Sequence, residues 1–138
     1  MTSTTSTTAT ATATEFQIEG ATAEAIRAEY QRIEKDAARA ASRAYKADGE
    51  DASMRVYDAG LTAQRKFALR VRKTLFFRLP ESEIASPDER GWYFPLANGW
   101  RRQVEFCNAE DTIYTPFLSV AIAERANGAE FPSFGDDE

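Results

Sequence analysis

Apolar residues in Met54–Arg78 (MRVYDAGLTAQRKFALRVRKTLFFR) recur at helical spacing and predict one long amphipathic helix. At about 100° per residue, Tyr57, Leu61, Ala68, Val71, Leu75 and Leu79 gather on one side. Arg55, Lys66, Arg70 and Lys73 gather on the other, with Arg65 and Arg72 at a flank. Pro80 ends the segment, because Leu79 before a proline is pushed out of the helical region. Upstream, Thr22 is placed to cap a helix over Ala23–Ala47 that stops at Asp48-Gly49. Its inward positions, Ile26, Tyr30, Ile33, Ala37, Ala40 and Ala44, follow a heptad seam.

Each predicted helix has about 25 residues and a length of roughly 37 Å. A six-residue turn, Asp48–Ser53, with Ser53 capping the second helix, folds them antiparallel. That turn sets Ala44 near Tyr57, Ala40 and Ala41 near Gly60, and Ala37 near Gln64. Further along, Ile33 falls near Phe67 and Ala68, Tyr30 near Val71, and Ile26 near Leu75. Small residues beside the turn bring the backbones together, which gives the helix-interior Gly60 its purpose. Large residues at the far end open a wedge that a third element must fill.

The filler is predicted to be a β-hairpin in GWYFPLANGWRRQVEFC, signalled by Asn98-Gly99 between two apolar runs. A three-residue loop, Ala97-Asn98-Gly99, pairs Leu96 with Trp100. It places Trp92, Phe94, Leu96, Trp100, Val104 and Phe106 on one face, interrupted only by Arg102. The alternative two-residue loop would set Trp92, Phe94 and Leu96 among polar side chains, so burial selects the first register. Pro95 then marks an edge strand, and Tyr93 on the polar face is the aromatic expected to be exposed. Glu15–Glu19 alternates like a short edge strand. In Pro116–Ala126, the signals Thr115-Pro116 and Asn127-Gly128 favour a helix over the strand that Leu118, Val120 and Ile122 would also suit.

These elements make an α+β fold: an antiparallel two-helix hairpin on a twisted β-hairpin, with a C-terminal helix or strand. Residues 1–14, only Thr, Ser and Ala after Met1, read as a flexible arm; 15–129 as a single domain; 130–138 as an acidic tail. The N-terminus lacks the pattern of a secretory signal, and no run reaches the ~18 apolar residues that span a membrane. Cytoplasmic residence without membrane association is expected.

Charge sharpens the picture of the central helix. Arg55–Arg78 holds seven basic residues and one acid, whereas 79–138 holds four basic and twelve acidic residues in a chain of net charge −5. The acidic balance weakens the nucleic-acid reading of the basic face, since a basic domain is the usual footprint. The sequence has no histidine and a single cysteine, Cys107. It therefore lacks the Ser-His and Cys-His nucleophile pairs, a disulfide framework and a structural zinc set. Neither a dinucleotide nor a P-loop glycine motif occurs, and no cofactor is expected. The pairs Asp88/Glu89 and Glu110/Asp111 are sequential neighbours in turns and read as surface charge.

The candidate partner-binding residues are Lys66, Leu69, Arg70, Lys73, Phe76, Phe77, Tyr93 and Arg101, where basic and aromatic surface coincide. Charged outer helix faces and aromatic core faces are the plainer reading of the same residues. The sequence favours a non-enzymatic protein-binding protein of the adaptor, assembly or inhibitor kind, with a protein partner or a homo-oligomer. Nucleic-acid binding through the basic helix face is the alternative.

Overall fold

In the computed structural model, residues 15–131 are described. The expected Thr/Ser/Ala arm lies outside them, as does the acidic tail beyond Phe131. The elements are α1 (Ala23–Asp48), α2 (Glu50–Leu75), β1 (Phe77–Arg78), β2 (Trp92–Pro95), β3 (Arg101–Val104), α3 (Glu110–Tyr114) and α4 (Leu118–Ala126). Single 3-10 turns, Glu81–Glu83 and Pro87–Glu89, lie between β1 and β2. The fold is α+β: two packed antiparallel helices, a three-stranded antiparallel sheet in the order β1-β2-β3, and short helices that follow.

Helix α1 begins as expected, with the Thr22 hydroxyl accepting from the Ala25 N–H at 3.0 Å. The reversal is tighter than the six residues expected. Gly49, at φ 96°, turns the chain by itself and donates its N–H to Tyr45 O. Helix α2 then starts at Glu50 rather than after Ser53, its first turn carrying Glu50 and Asp51 at the positive end of the helix dipole. The shorter turn slides the pairing of the helices by about one helical turn. Gly60 faces Ala37 instead of Ala40 and Ala41. Gln64 reaches Tyr30, whose carbonyl accepts from Nε2 at 2.9 Å, instead of Ala37. Leu61, expected inward, is exposed.

At the base of the hairpin, large side chains of both helices meet the rest of the chain. Ile26, Tyr30, Phe67, Val71 and Leu75 join Phe76, Trp92, Phe94, Val104, Ile113, Leu118 and Ala121 in one core. The sheet shares the wedge with both C-terminal helices, and Ile18 closes it from the N-terminal side. Segment Glu15–Glu19 is therefore no strand. Arg70 takes the Phe16 carbonyl at 2.9 Å, and a turn follows in which the Ala21 N–H donates to Ile18 O.

Helix α2 stops at Leu75, short of the Arg78 expected. Leu75, Phe76, Phe77 and Leu79 are all buried, a run that one helix face cannot hide. An extended chain solves this by sending alternate side chains to opposite sides. Phe76 enters the main core, while Phe77 and Leu79 form a second cluster with Tyr93. Phe77 and Arg78 pair with Tyr93 and Trp92, and so create a strand the periodicity did not reveal.

The β-hairpin has the expected register. Trp92 pairs with Val104 and Phe94 with Arg102. Leu96 donates its N–H to Trp100 O at 2.6 Å, and Gly99 sits at φ 87°. Three expectations about it are corrected. Tyr93 is only 7% exposed, because β1 covers the face expected to be open. Trp100 is 68% exposed, since residues 97–103 all stand clear of the core. Pro95 lies on the central strand, not an edge; β1 ends before reaching it, so its missing N–H leaves no ladder bond unmade.

The C-terminal stretch is helical. Leu118 and Ala121 are buried, Val120 is exposed, and Gly128 at φ 96° follows the last turn. The preceding helix α3 was not expected. Asn108 and Asp111 cap it reciprocally: the Asp111 N–H donates to Asn108 Oδ1 at 3.0 Å, and the Asn108 N–H to Asp111 Oδ2 at 3.3 Å.

Candidate functional site

Outward from the Gly60–Ala37 contact, no other element among the described residues packs as a layer on the helical hairpin. Between positions 38 and 63 Ala41 is the sole buried residue. From Ala37 to Asp48 this arm extends roughly 17 Å. Both of its sides are open.

One side carries a cleft of about 620 Å³ between the helices. Ile33, Ala37 and Ala40 from α1 and Val56, Gly60, Ala63 and Phe67 from α2 make an apolar floor. The short side chains follow from the close approach of the helices, which leaves no room for larger ones. The rims are charged and unlike. On α1, Arg32 joins Glu29 and Asp36, each at 2.5 Å. These carboxylates hold the guanidinium above its usual pKa, the hydrogen bond it donates to Glu29 first among the causes. On α2, Lys66 is exposed, and Arg70 is 3.1 Å from Glu15 and lies over the Phe67 ring. Phe16, packed edge-on against Phe67 with centroids 5.7 Å apart, closes the inner end.

The opposite side of the arm exposes Tyr45 (60%), Met54 (57%) and Leu61 (38%). There the Tyr57 hydroxyl donates to Glu34 at 3.2 Å, which raises its pKa.

The structure divides the candidate residues in two. Lys66 and Arg70 line the groove, and Lys73 and Arg101 are exposed, Arg101 lying 3.5 Å from Glu83 and over the Tyr93 ring. Leu69 is half-buried. Phe76, Phe77 and Tyr93 are buried and offer no anchor to a partner. The continuous basic-aromatic patch expected over Leu69–Phe77 is thus broken, because its aromatics belong to the two cores.

Arg72, expected at a flank of the basic side, is buried. Its Nε donates to Thr112 Oγ1 and its NH2 to the Asn108 carbonyl, both at 2.8 Å, with the Phe106 ring 4.3 Å away. It binds the α3 region to α2 and has a structural part. The outer groove is not among the sequence expectations; its one sequence signal is Gly60 amid small residues on both helices.

Little else offers chemistry. Among the described residues no group of three or more His, Cys, Asp or Glu is placed to hold a metal, and no helix is long and apolar enough to cross a membrane. Cys107 is exposed. Asp111 is occupied as a cap, and Glu89 Oε1 accepts from the Ala85 N–H at 2.9 Å. No protein-family model matches this chain, and neither a curated protein nor a solved structure is detectably similar to it.

Proposed function

We propose that this is a non-enzymatic protein-binding protein of the adaptor, assembly or inhibitor kind, and that the outer half of its helical hairpin is the contact element. One observation carries the reading: among the described residues nothing covers the apolar groove of the arm or its exposed Tyr45, Met54 and Leu61. Apolar side chains facing water on both sides of the arm would be covered by a partner seated there. A groove between two helices suits a helical partner, whose apolar face would enter while its charges meet the rims. Burial of Phe76, Phe77 and Tyr93 moves the contact outward from the Leu69–Phe77 turns, with Lys66 and Arg70 at its inner margin.

A cytoplasmic setting belongs to this reading, supported by the single, exposed Cys107. Nucleic-acid binding has weaker support. Glu15, Glu29 and Asp36 stand among Arg32, Lys66 and Arg70, so a phosphate backbone would meet both signs in the same groove.

The test is site-specific photo-crosslinking in the cells that make the protein. A crosslinker at Ala40 or Ala63 should give a discrete protein adduct, and one at the exposed Ser119 on α4 should not. Adducts from Ser119 alone, or nuclease-sensitive adducts from the arm, would overturn the reading.

A further inference from the structure

We infer that the groove between the helices is the seat of the chain's own N-terminal segment, residues 9–14. The inference goes beyond the reading above, since a partner that uses the groove has to displace this segment first.

The chain arrives at the groove. Glu15 and Phe16, the first two described residues, both line it. Phe16 packs against Phe67, and its carbonyl accepts from Arg70 at 2.9 Å. The Glu15 carboxylate lies 3.1 Å from the same guanidinium. Residue 14 therefore joins at the inner mouth. A segment tethered there has an effective concentration on the order of mM, so weak contacts suffice to fill the groove.

The sequence of the segment matches the groove in shape. Residues 9–14 read Ala-Thr-Ala-Thr-Ala-Thr. Alternation with a β-branched residue favours an extended chain, in which Ala9, Ala11 and Ala13 share one face and the threonines the other. Alanine methyls suit a floor of Ala37, Ala40, Gly60 and Ala63, while the hydroxyls stay at the rims in water. Six extended residues span about 20 Å. Between Phe67 and Val56 the groove runs roughly 17 Å along α2.

Charge selects the same occupant. Arg32 joins Glu29 and Asp36, Asp36 also meets Arg39 at 3.4 Å, and Arg70 meets Glu15. These rim charges neutralise one another, so an uncharged occupant fits. Residues 2–14 carry no charged side chain. The exposed Lys66 can donate to carbonyls of a seated backbone.

Nuclear Overhauser spectra of the full chain, labelled at its alanine methyls, test this. Cross-peaks should join Ala9 or Ala13 to Ala40 or Ala63. Ala11→Asp, which puts a carboxylate on the apolar face, should abolish them, whereas Thr10→Asp on the outward face should leave them. No cross-peaks in the wild-type chain, cross-peaks that survive Ala11→Asp, or equal loss in both variants would each overturn the inference. If those cross-peaks are missing but a crosslinker at Ala40 still captures another protein, the segment is overturned as occupant and the contact surface stands. Cross-peaks without any adduct from the hairpin uphold the occupant and remove the contact surface.

Discussion

Gly60 and Ala37 meet where the two long helices touch: a Cβ built on Gly60 would overlap the Ala37 Cβ and lie 3.3 Å from its Cα. This contact sets the heights of everything on the hairpin, from the core residues at the base to the open groove at the tip. Gly60→Ala should therefore destabilise the fold by about 1–3 kcal/mol despite alanine's higher helix propensity. Urea unfolding followed by circular dichroism checks this. Adding Ala37→Gly should recover most of the loss, and a fully stable single variant would show that the helices are not in contact there.

Arg72 anchors the α3 region, and its loss should be felt in stability. Arg72→Met takes the guanidinium donor from the buried Thr112 hydroxyl, leaves the Asn108 carbonyl with the Asp111 N–H at 3.3 Å alone, and removes the cation over Phe106. A cost of about 2–4 kcal/mol is expected, against less than ~1 kcal/mol for Arg70→Met, whose ion pair is solvent-exposed. Arg72→Lys should recover little, because an ammonium cannot serve two acceptors with the same planar fork. Equal losses for the Arg70 and Arg72 variants would contradict these roles.

The aromatic residues should separate sharply. Phe76 is 1% exposed between Phe94 and Phe106, so Phe76→Ala should cost about 3–5 kcal/mol. Trp100→Ala should change stability by no more than about 0.5 kcal/mol. Comparable losses at the two positions would place Trp100 in the core.

Tyr30 makes stability depend on alkaline pH. Desolvation above all, then the charge of Glu110, pushes its phenol up to about 12 from 10.0. The folded state therefore retains a proton that the unfolded chain loses near pH 10. Stability from this group is complete below pH 10 and is lost as pH rises towards 12. Urea midpoints at pH 9, 10 and 11 should fall faster for the wild type than for Tyr30→Phe. Parallel curves would mean that Tyr30 ionises as in water.

Much of this architecture was legible in local chemistry. Thr22 and Gly49 bounded α1, Asn98-Gly99 with the Trp92–Leu96 alternation chose the β-hairpin register, and capping residues selected helix for α4. Misreadings arose where tertiary contacts overrode a periodic pattern. The apolar stripe of α2 runs on through Phe76 and Phe77, but only a strand can bury both, and its partner β2 is distant in sequence. That unforeseen strand is also what covers Tyr93. Ser53 looked like a cap, but Gly49 with a left-handed backbone reversed the chain sooner. The Asn108–Asp111 capping pair was present in the sequence and would have announced α3. The groove shows the same division: charge singles out Lys66 and Arg70, which line it, while its position depends on a helix pairing that a shorter turn displaces.

The central claim is that the outer half of the helical hairpin is the protein contact surface, and amide hydrogen exchange of the complex against the isolated chain measures it most directly. Protection should appear in α1 from Glu29 to Asp48 and in α2 from Glu50 to Arg70, with the sheet and α4 unchanged. Protection confined to the Trp100 loop, the sheet or α4, with exchange along the arm unaltered, would contradict it.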